Sequence, residues 1–348
     1  MKSRASSIAL YRKYRPVSFK EVIGQEHITS VLDGAISLGN ISHAYLFSGS
    51  RGTGKTSVAR IFAKSIKTTP NDIYEIDAAS YTGVDNIREI NEGVNVLPFE
   101  SPYKVYIIDE VHMLSKAAFN ALLKTLEEPP SHVIFILATT ELEKLPETVI
   151  SRCQTFNFRK PSLALLKSMI SAIAKREGYS LEPASADLIA LLGDGSFRDT
   201  QGILEKVISS SKDKRITRAE VERVTAAPPG ELVNQYIKAF SPGAIDQGLM
   251  ALGEALASNV DMKVFTKLLL EKVRAIILLR LAPASLVELG ETFSSTDAAF
   301  IKDMSETNKL INSETLVELL SAYERIGYAA IPTIPLEIAL IKLSSEKD

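Results

Sequence analysis

A chain of 348 residues has room for two or three domains of about 150 residues each, with a sizeable core. Its formal net charge of −2 excludes a globally basic surface, so nucleic acid could be met only by a local patch. A single cysteine, Cys153, excludes an internal disulfide and fits a reducing cytosol. No apolar run reaches the ~18 residues of a membrane span. Met1 to Ser7 is polar and lacks the apolar core of a secretion signal. From Gln25 to Leu38, the apolar residues Ile28, Val31, Leu32, Ala35 and Ile36 recur at helical spacing. Ala44-Tyr45-Leu46-Phe47 is a short apolar strand, and Ser57 to Lys64 is a helix-like run. Between them stands Gly49-Ser50-Arg51-Gly52-Thr53-Gly54-Lys55-Thr56, which fits G-x-x-x-x-G-K-[ST]. In a strand–loop–helix setting this is the phosphate-binding loop of nucleotide hydrolases. The glycines let successive backbone N–H groups turn inward around a polyphosphate. Lys55 can reach the β- and γ-phosphates, and Thr56 offers a hydroxyl to Mg²⁺. Ser57 opens a helix whose positive end faces the phosphates. The alternative, a glycine-rich turn between two elements, does not require the full motif.

Asp72 to Ile76 reads as a strand, followed by Asp77-Ala78-Ala79-Ser80, and Val84 to Glu92 as a helix. Lys104-Val105-Tyr106-Ile107-Ile108 is apolar on both faces, as a buried parallel strand requires. It ends in Asp109-Glu110. Asp109 can hold Mg²⁺, and Glu110 can orient and polarise an attacking water. A solvated acidic turn would also end a strand in two acids; the phosphate loop upstream argues for the metal-binding assignment. Ser115 to Glu127 is a helix with Ser115 as N-cap, stopped by Pro129-Pro130. Val133 to Ala138 is another buried strand. The alternation predicts a parallel sheet covered by helices, with ligands beyond the carboxyl ends of the strands. The phosphate loop, Asp109 and Thr140 all fall there. After Lys160-Pro161 the pattern turns helical: Leu163 to Glu177, Ser185 to Leu192, Arg198 to Ser209 and a short helix opened by Thr217. Ala226-Ala227-Pro228-Pro229-Gly230 looks like a linker, followed by apolar helical stretches at Phe265–Leu281 and Thr315–Ala330. The expected organisation is an α/β nucleotide-binding domain over 1–160, a small helical lid over 161–225 and an all-α domain over 226–348.

Several segments together resemble the clamp-loader ATPases of the bacterial DNA polymerase III gamma/tau type, within the AAA+ group. They are Tyr11-Arg12-Lys13-Tyr14-Arg15-Pro16, Phe19 to Glu26, Asp109 to Ser115, Phe119 to Pro130, Ala138-Thr139-Thr140 and Ser151-Arg152-Cys153. The resemblance is dense over 8–160, extends through Arg198-Asp199 and is weaker from Glu231 onward. The small clamp-loader subunits of archaea and eukaryotes share Ser-Arg-Cys but differ after the acidic pair. The resemblance implies that Tyr11 and Arg15 border the nucleotide and that Thr140 is sensor 1. It implies that Arg198 is sensor 2, reaching from the lid to the phosphates. It implies that Arg152 is an arginine finger entering a neighbour's site. A guanidinium is permanently charged and suits that task. A surface ion pair is the alternative for Arg152, and pairing with Asp194 or Asp199 the alternative for Arg198. The implied cofactors are ATP and Mg²⁺. The implied partners are delta-like and delta-prime-like subunits, further copies of the chain in a ring, a sliding clamp and primer–template DNA, in the bacterial cytoplasm and with no membrane. The C-terminal domain would be the collar that holds the ring together.

Three departures from the family stand out. The family usually carries a cysteine-rich zinc module after the phosphate-loop helix; this chain has Ile66 to Asp72 instead. One cysteine and the scattered His27, His43, His112 and His132 do not supply four ligands, so no zinc is expected. Cys153 is expected to be a small buried hydrophobe and the histidines packing or surface residues. DNA contact is expected along Ser80 to Arg88, with Thr82 and Arg88 as candidates, yet Tyr81 and Gly83 replace basic residues of relatives. Backbone N–H groups at the helix start could carry that contact, and Arg88 could equally be a solvated helix residue. The long tail that ties the longer family product to helicase and polymerase has no counterpart here. Two rival readings are another DNA motor of the same fold and a scaffold subunit that has lost hydrolysis. Intact Lys55, Thr56, Asp109 and Glu110 argue against the scaffold.

Overall fold

A computed structural model of the chain describes residues 8–80, 83–211, 213–282, 293 and 295–344. Tyr81 and Thr82 lie outside the described residues. The chain divides into two compact units: Met1–Leu165 with Gly193–Gly202, and Leu166–Leu192 with Ile203–Asp348. Arg198 therefore belongs to the unit that holds the phosphate loop.

The first unit is built on a five-stranded sheet: β1 (Ala44–Ser48), β2 (Ile73–Asp77), β3 (Lys104–Asp109), β4 (Val133–Thr139) and β5 (Gln154–Asn157). The order is β2-β3-β4-β1-β5, and all neighbours are parallel. Every residue of β1 and β4 is buried, as is β3 up to Ile108. Strands covered on both faces favour apolar side chains along their length, which is why these three read as apolar runs, with the buried polar residues Ser48, Lys104 and Thr139 at strand ends. The edge strand β5 was not legible: Gln154-Thr155-Phe156-Asn157 buries Phe156 alone.

Four helices cover the sheet: α1 (Glu26–Ser37), α2 (Lys55–Ser65), α3 (Val84–Gly93) and α4 (Lys116–Glu127). Successive strand residues face opposite sides. Tyr45, Phe47, Ile107 and Ile136 pack with Ile28, Leu32, Val58 and Phe62 of α1 and α2. Leu46, Ile108, Phe135 and Leu137 pack with Ile87, Ile90, Phe119 and Leu122 of α3 and α4. Each such side chain stabilises the fold by about 1.5–3 kcal/mol on full burial. Ser115 caps α4 by accepting from the Ala118 N–H at 3.2 Å, as expected.

The second unit is helical. Among its helices are Pro183–Leu192, Arg218–Thr225, Gly230–Lys238, Ile245–Ala257, Met262–Leu281, Ser295–Thr307, Ser313–Ile326 and Ile334–Ser344. Ser180–Leu181 pairs in parallel with Arg215–Ile216, a strand pair too short to mark the sequence. Thr217 opens its helix through a capping box with Glu220. Lys272 is buried and donates to Asp297 at 2.5 Å and Asn234 at 2.7 Å, while Arg218 reaches the other Asp297 oxygen at 3.1 Å. Burial pushes the Lys272 ammonium below its usual range, and Asp297 opposes that shift.

The connection between α2 and β2 is closed by a carboxylate. Asp72 is fully buried and accepts from the N–H groups of Phe99, Glu100 and Ser101 at 2.6, 3.0 and 2.9 Å. Burial alone would raise its pKa, but these donors hold the carboxyl below the ordinary value. Asp72→Asn leaves backbone donors short of acceptors and should cost about 1–3 kcal/mol in urea unfolding. Since the folded pKa is lowered, the stabilisation is present above the unfolded value of about 3.9 and is lost as pH falls through the folded value. The gap between wild type and variant should therefore narrow below about pH 4; a gap constant with pH would show that the charge is not what matters.

Candidate nucleotide-binding site

The loop after β1 is shaped by glycine. Gly49, Gly52 and Gly54 have φ of 142°, 75° and 105°. A Cβ at Gly52 would stand 1.9 Å from Ser196 Oγ, and one at Gly49 2.5 Å from the Phe158 carbonyl oxygen. Only glycine fits both the torsion and the space. Thr53 is buried and donates to the Ser50 carbonyl at 2.8 Å, tightening the loop, whereas Arg51 is exposed. Ser57 is half-buried in the first turn of α2. Gln25, given no role by the sequence reading, is fully buried and ties the loop to the exit of β5. Its amide donates to the Arg159 carbonyl at 2.8 Å and towards that of Thr53 at 3.5 Å, and accepts from the Arg159 N–H at 3.2 Å.

Lys55 opens α2 and folds over the loop, donating to the carbonyls of Gly49 at 2.6 Å and Ser50 at 3.0 Å. Burial lowers its pKa, and the carboxylates of Glu110 and Asp109 act against that. The neighbouring Thr56 hydroxyl donates to Asp109 Oδ2 at 2.7 Å, and Asp109 Oδ1 accepts from the Glu110 N–H at 3.0 Å. Glu110 sits in the left-handed region with φ 48°, which swings its side chain off the line of β3. Its Oε2 accepts from the Thr140 hydroxyl at 3.0 Å. Thus Thr56, Asp109, Glu110 and Thr140 form one connected rim where α2, β3 and β4 meet. The hydroxyl and carboxylate at Thr56 and Asp109 are hard oxygen donors of the kind Mg²⁺ takes. His112, expected as packing or surface, is buried beside this rim, with Nδ1 3.1 Å from Thr139 Oγ1 and Nε2 3.1 Å from Glu141 Oε1.

The outlying residues divide. Arg198 is the second residue of the helix α5 (Phe197–Ser210), and its guanidinium lies 5.1 Å from the centre of the Tyr11 ring. The preceding Phe197 N–H donates to the Gly52 carbonyl at 2.9 Å, so this helix start abuts the loop. Tyr11 also accepts from Arg12 at 3.2 Å, and Arg15 is half-buried. Arg152 is held within its own chain, by Glu127 at 2.6 Å and the Thr148 carbonyl at 2.7 Å, which is the ion-pair alternative. Arg88 pairs with Asp85 at 2.9 Å on an exposed helix surface.

Residues 69–162 match the family described as DNA polymerase III, delta subunit. DNA polymerase III subunit tau of Bacillus subtilis is 38% identical, over 96% of this chain and 63% of that one. The tau subunit of Escherichia coli is 37% identical, over 80% of this chain and 46% of that one. The gamma/tau subunit of Mycobacterium tuberculosis is 38% identical, over 79% and 52%. The chain thus spans about half to two-thirds of the length of the curated relatives it matches. Among solved structures, the Thermotoga maritima RuvB Holliday junction branch migration motor superposes with a TM-score of 0.53 at 24% identity, over 74% of this chain and 91% of that one. At that identity the likeness speaks for the fold alone, an α/β core on a parallel sheet followed by helices.

Gly52→Ala would have to displace Ser196 and hold an alanine at φ 75°. The expected loss is about 1–3 kcal/mol of unfolding free energy. Unchanged melting would show that Ser196 does not seat against the loop.

Proposed function

The chain is a homologue of the bacterial DNA polymerase III gamma/tau subunits, and on that premise we propose that it is an ATPase subunit of a clamp loader, loading a sliding clamp onto primed DNA. The clamp-loader part of this reading rests on the likeness to the relatives. The observation that carries the ATPase part is the connected rim of Thr56, Asp109, Glu110 and Thr140 beside the Lys55 loop. That set fits ATP and Mg²⁺. Mg²⁺ held by Thr56 and Asp109 would supply positive charge against the charge that develops on the phosphates.

The roles then follow from the residues. Backbone N–H groups of Gly49 to Thr56, aided by Ser57, would cradle the phosphates, with Lys55 turning from its loop carbonyls to the β/γ-phosphates. Thr56 and Asp109 would hold Mg²⁺. Glu110 would accept a proton from the attacking water, with Thr140 reporting on the same spot. Arg198, alongside Tyr11 and Arg15, would close on the nucleotide from the side of the loop. Arg152 would leave Glu127 and enter a neighbour's site. An exposed ion pair is worth only about 0–1 kcal/mol, so that exchange of partners is cheap. Arg88 could trade Asp85 for a DNA phosphate on the same grounds, with Thr82 as its companion.

We divide the work among an ATPase domain (1–160), a lid (161–225) and a collar (226–348). The partners would be delta-like and delta-prime-like subunits, further copies of the chain in a ring, the clamp and primer–template DNA, in the bacterial cytoplasm. ATP binding would favour a ring that opens the clamp, and primed DNA would trigger hydrolysis and release, a rigid-body switch.

The test is steady-state ATP hydrolysis by the chain with its partner subunits, with and without clamp and primed DNA. Joint stimulation by clamp and primed DNA is expected. Stimulation by DNA alone would replace this reading with another DNA motor, and binding without turnover with a scaffold. Lys55→Ala should abolish productive nucleotide binding. Arg152→Ala should spare binding and lower turnover of the assembly by about 10³-fold or more; undiminished turnover would remove the finger assignment.

A further inference from the structure

His112 lies in the turn Val111–Met113 that follows Glu110, and its side chain is 6% exposed. Its Nδ1 is 3.1 Å from Thr139 Oγ1, and its Nε2 is 3.1 Å from Glu141 Oε1. Those two residues flank Thr140. One imidazole therefore grips the chain on both sides of the residue whose hydroxyl holds Glu110 Oε2. From that oxygen itself the ring stands off, at 3.6 Å.

Hydrogen-bond logic fixes which nitrogen carries the proton. Lys144 donates to the other oxygen of Glu141 at 2.7 Å and holds that carboxyl below the ordinary range, so Glu141 only accepts at neutral pH. Nε2 must therefore donate to it. In the neutral ring Nδ1 then accepts, and the Thr139 hydroxyl supplies the proton. The Thr139 oxygen in turn accepts from the Glu141 N–H at 3.0 Å. The result is a closed circuit: Glu141 N–H to Thr139, Thr139 O–H to Nδ1, Nε2–H to Glu141. Thr139 is fully buried, so breaking the circuit leaves a polar group without a partner.

The geometry points to His112 as a positioning residue for ATP hydrolysis. It fixes residues 139–141 so that Thr140 pins one oxygen of Glu110 and leaves the other as acceptor for water. This inference rests on the ATPase reading above. His112 makes no hydrogen bond to the phosphate loop itself. Thr139 does, its backbone carbonyl accepting from the Gly49 N–H at 3.2 Å, and no substitution below removes that carbonyl, so the loss is expected in turnover rather than in affinity. A displacement of about 1 Å in such a support can cost 10²-fold in rate.

The experiment compares wild type, His112→Ala, His112→Gln and Thr139→Val in the complete assembly with clamp and primed DNA, measuring kcat, KM and nucleotide affinity, with melting as a check on folding. Thr139→Val keeps shape and removes only the hydroxyl. Thr139→Val and His112→Ala are expected to lower kcat by about 10- to 100-fold with affinity within about twofold. His112→Gln, which keeps a donor for Glu141, is expected to recover part of the loss. If His112→Ala unfolds, Thr139→Val carries the test. A folded Thr139→Val with wild-type kcat would overturn the positioning role while leaving the ATPase reading intact. A wild-type assembly without turnover would overturn both.

Discussion

Burial of β1, β3 and β4 on both faces is the constraint on which the rest of this unit depends. A strand with no wet face admits a polar side chain only where a partner is at hand, because an unpaired polar group there is expensive, and the buried Ser48, Lys104 and Thr139 all stand at strand ends. Polar chemistry is driven to the points where the strands leave the core: Ser48-Gly49, Asp109-Glu110 and Thr139-Thr140. The register does the remaining work. Ser48 lies beside Thr139 and Ile108 beside Leu137, so the exits stand side by side. Residues far apart in the chain then meet without any long side chain having to reach.

The same constraint explains what could be read from the sequence. The three buried strands announce themselves as apolar runs, and the loop between Gly49 and Thr56 carries a spacing that only phosphate binding demands. Asp109, Glu110 and Thr140 follow as the polar residues just beyond such runs. The edge strand β5, with one buried residue, gives no such signal. Gln25 and His112 were missed for a different reason. Each is a single polar residue whose partners lie elsewhere in the chain, Arg159 for the first and residues 139 and 141 for the second. A lone Gln or His in a sequence has no periodicity to betray such a contact. What could have hinted at His112 is its place two residues past the acidic pair, among otherwise apolar neighbours.

Contacts at the site also differ in how easily they can be exchanged. The pairs Arg152–Glu127 and Arg88–Asp85 lie in solvent, where screening and side-chain entropy leave little net attraction. Gln25, Thr139 and the His112 side chain are buried, with only Glu141 of that circuit open to solvent, and breaking their bonds strands polar atoms away from water. The first kind suits residues proposed to change partners during a cycle. The second suits residues that must hold a fixed frame while others move.

Glu110 adds one more consequence. A left-handed backbone is natural for glycine and costs a residue with a Cβ about 1–2 kcal/mol. Selection for thermal robustness alone would favour glycine at this position, and the chain carries glutamate. Stability and turnover pull in opposite directions at a single residue there, so a search for more heat-resistant variants would be expected to find Glu110→Gly and in doing so to discard the proposed base.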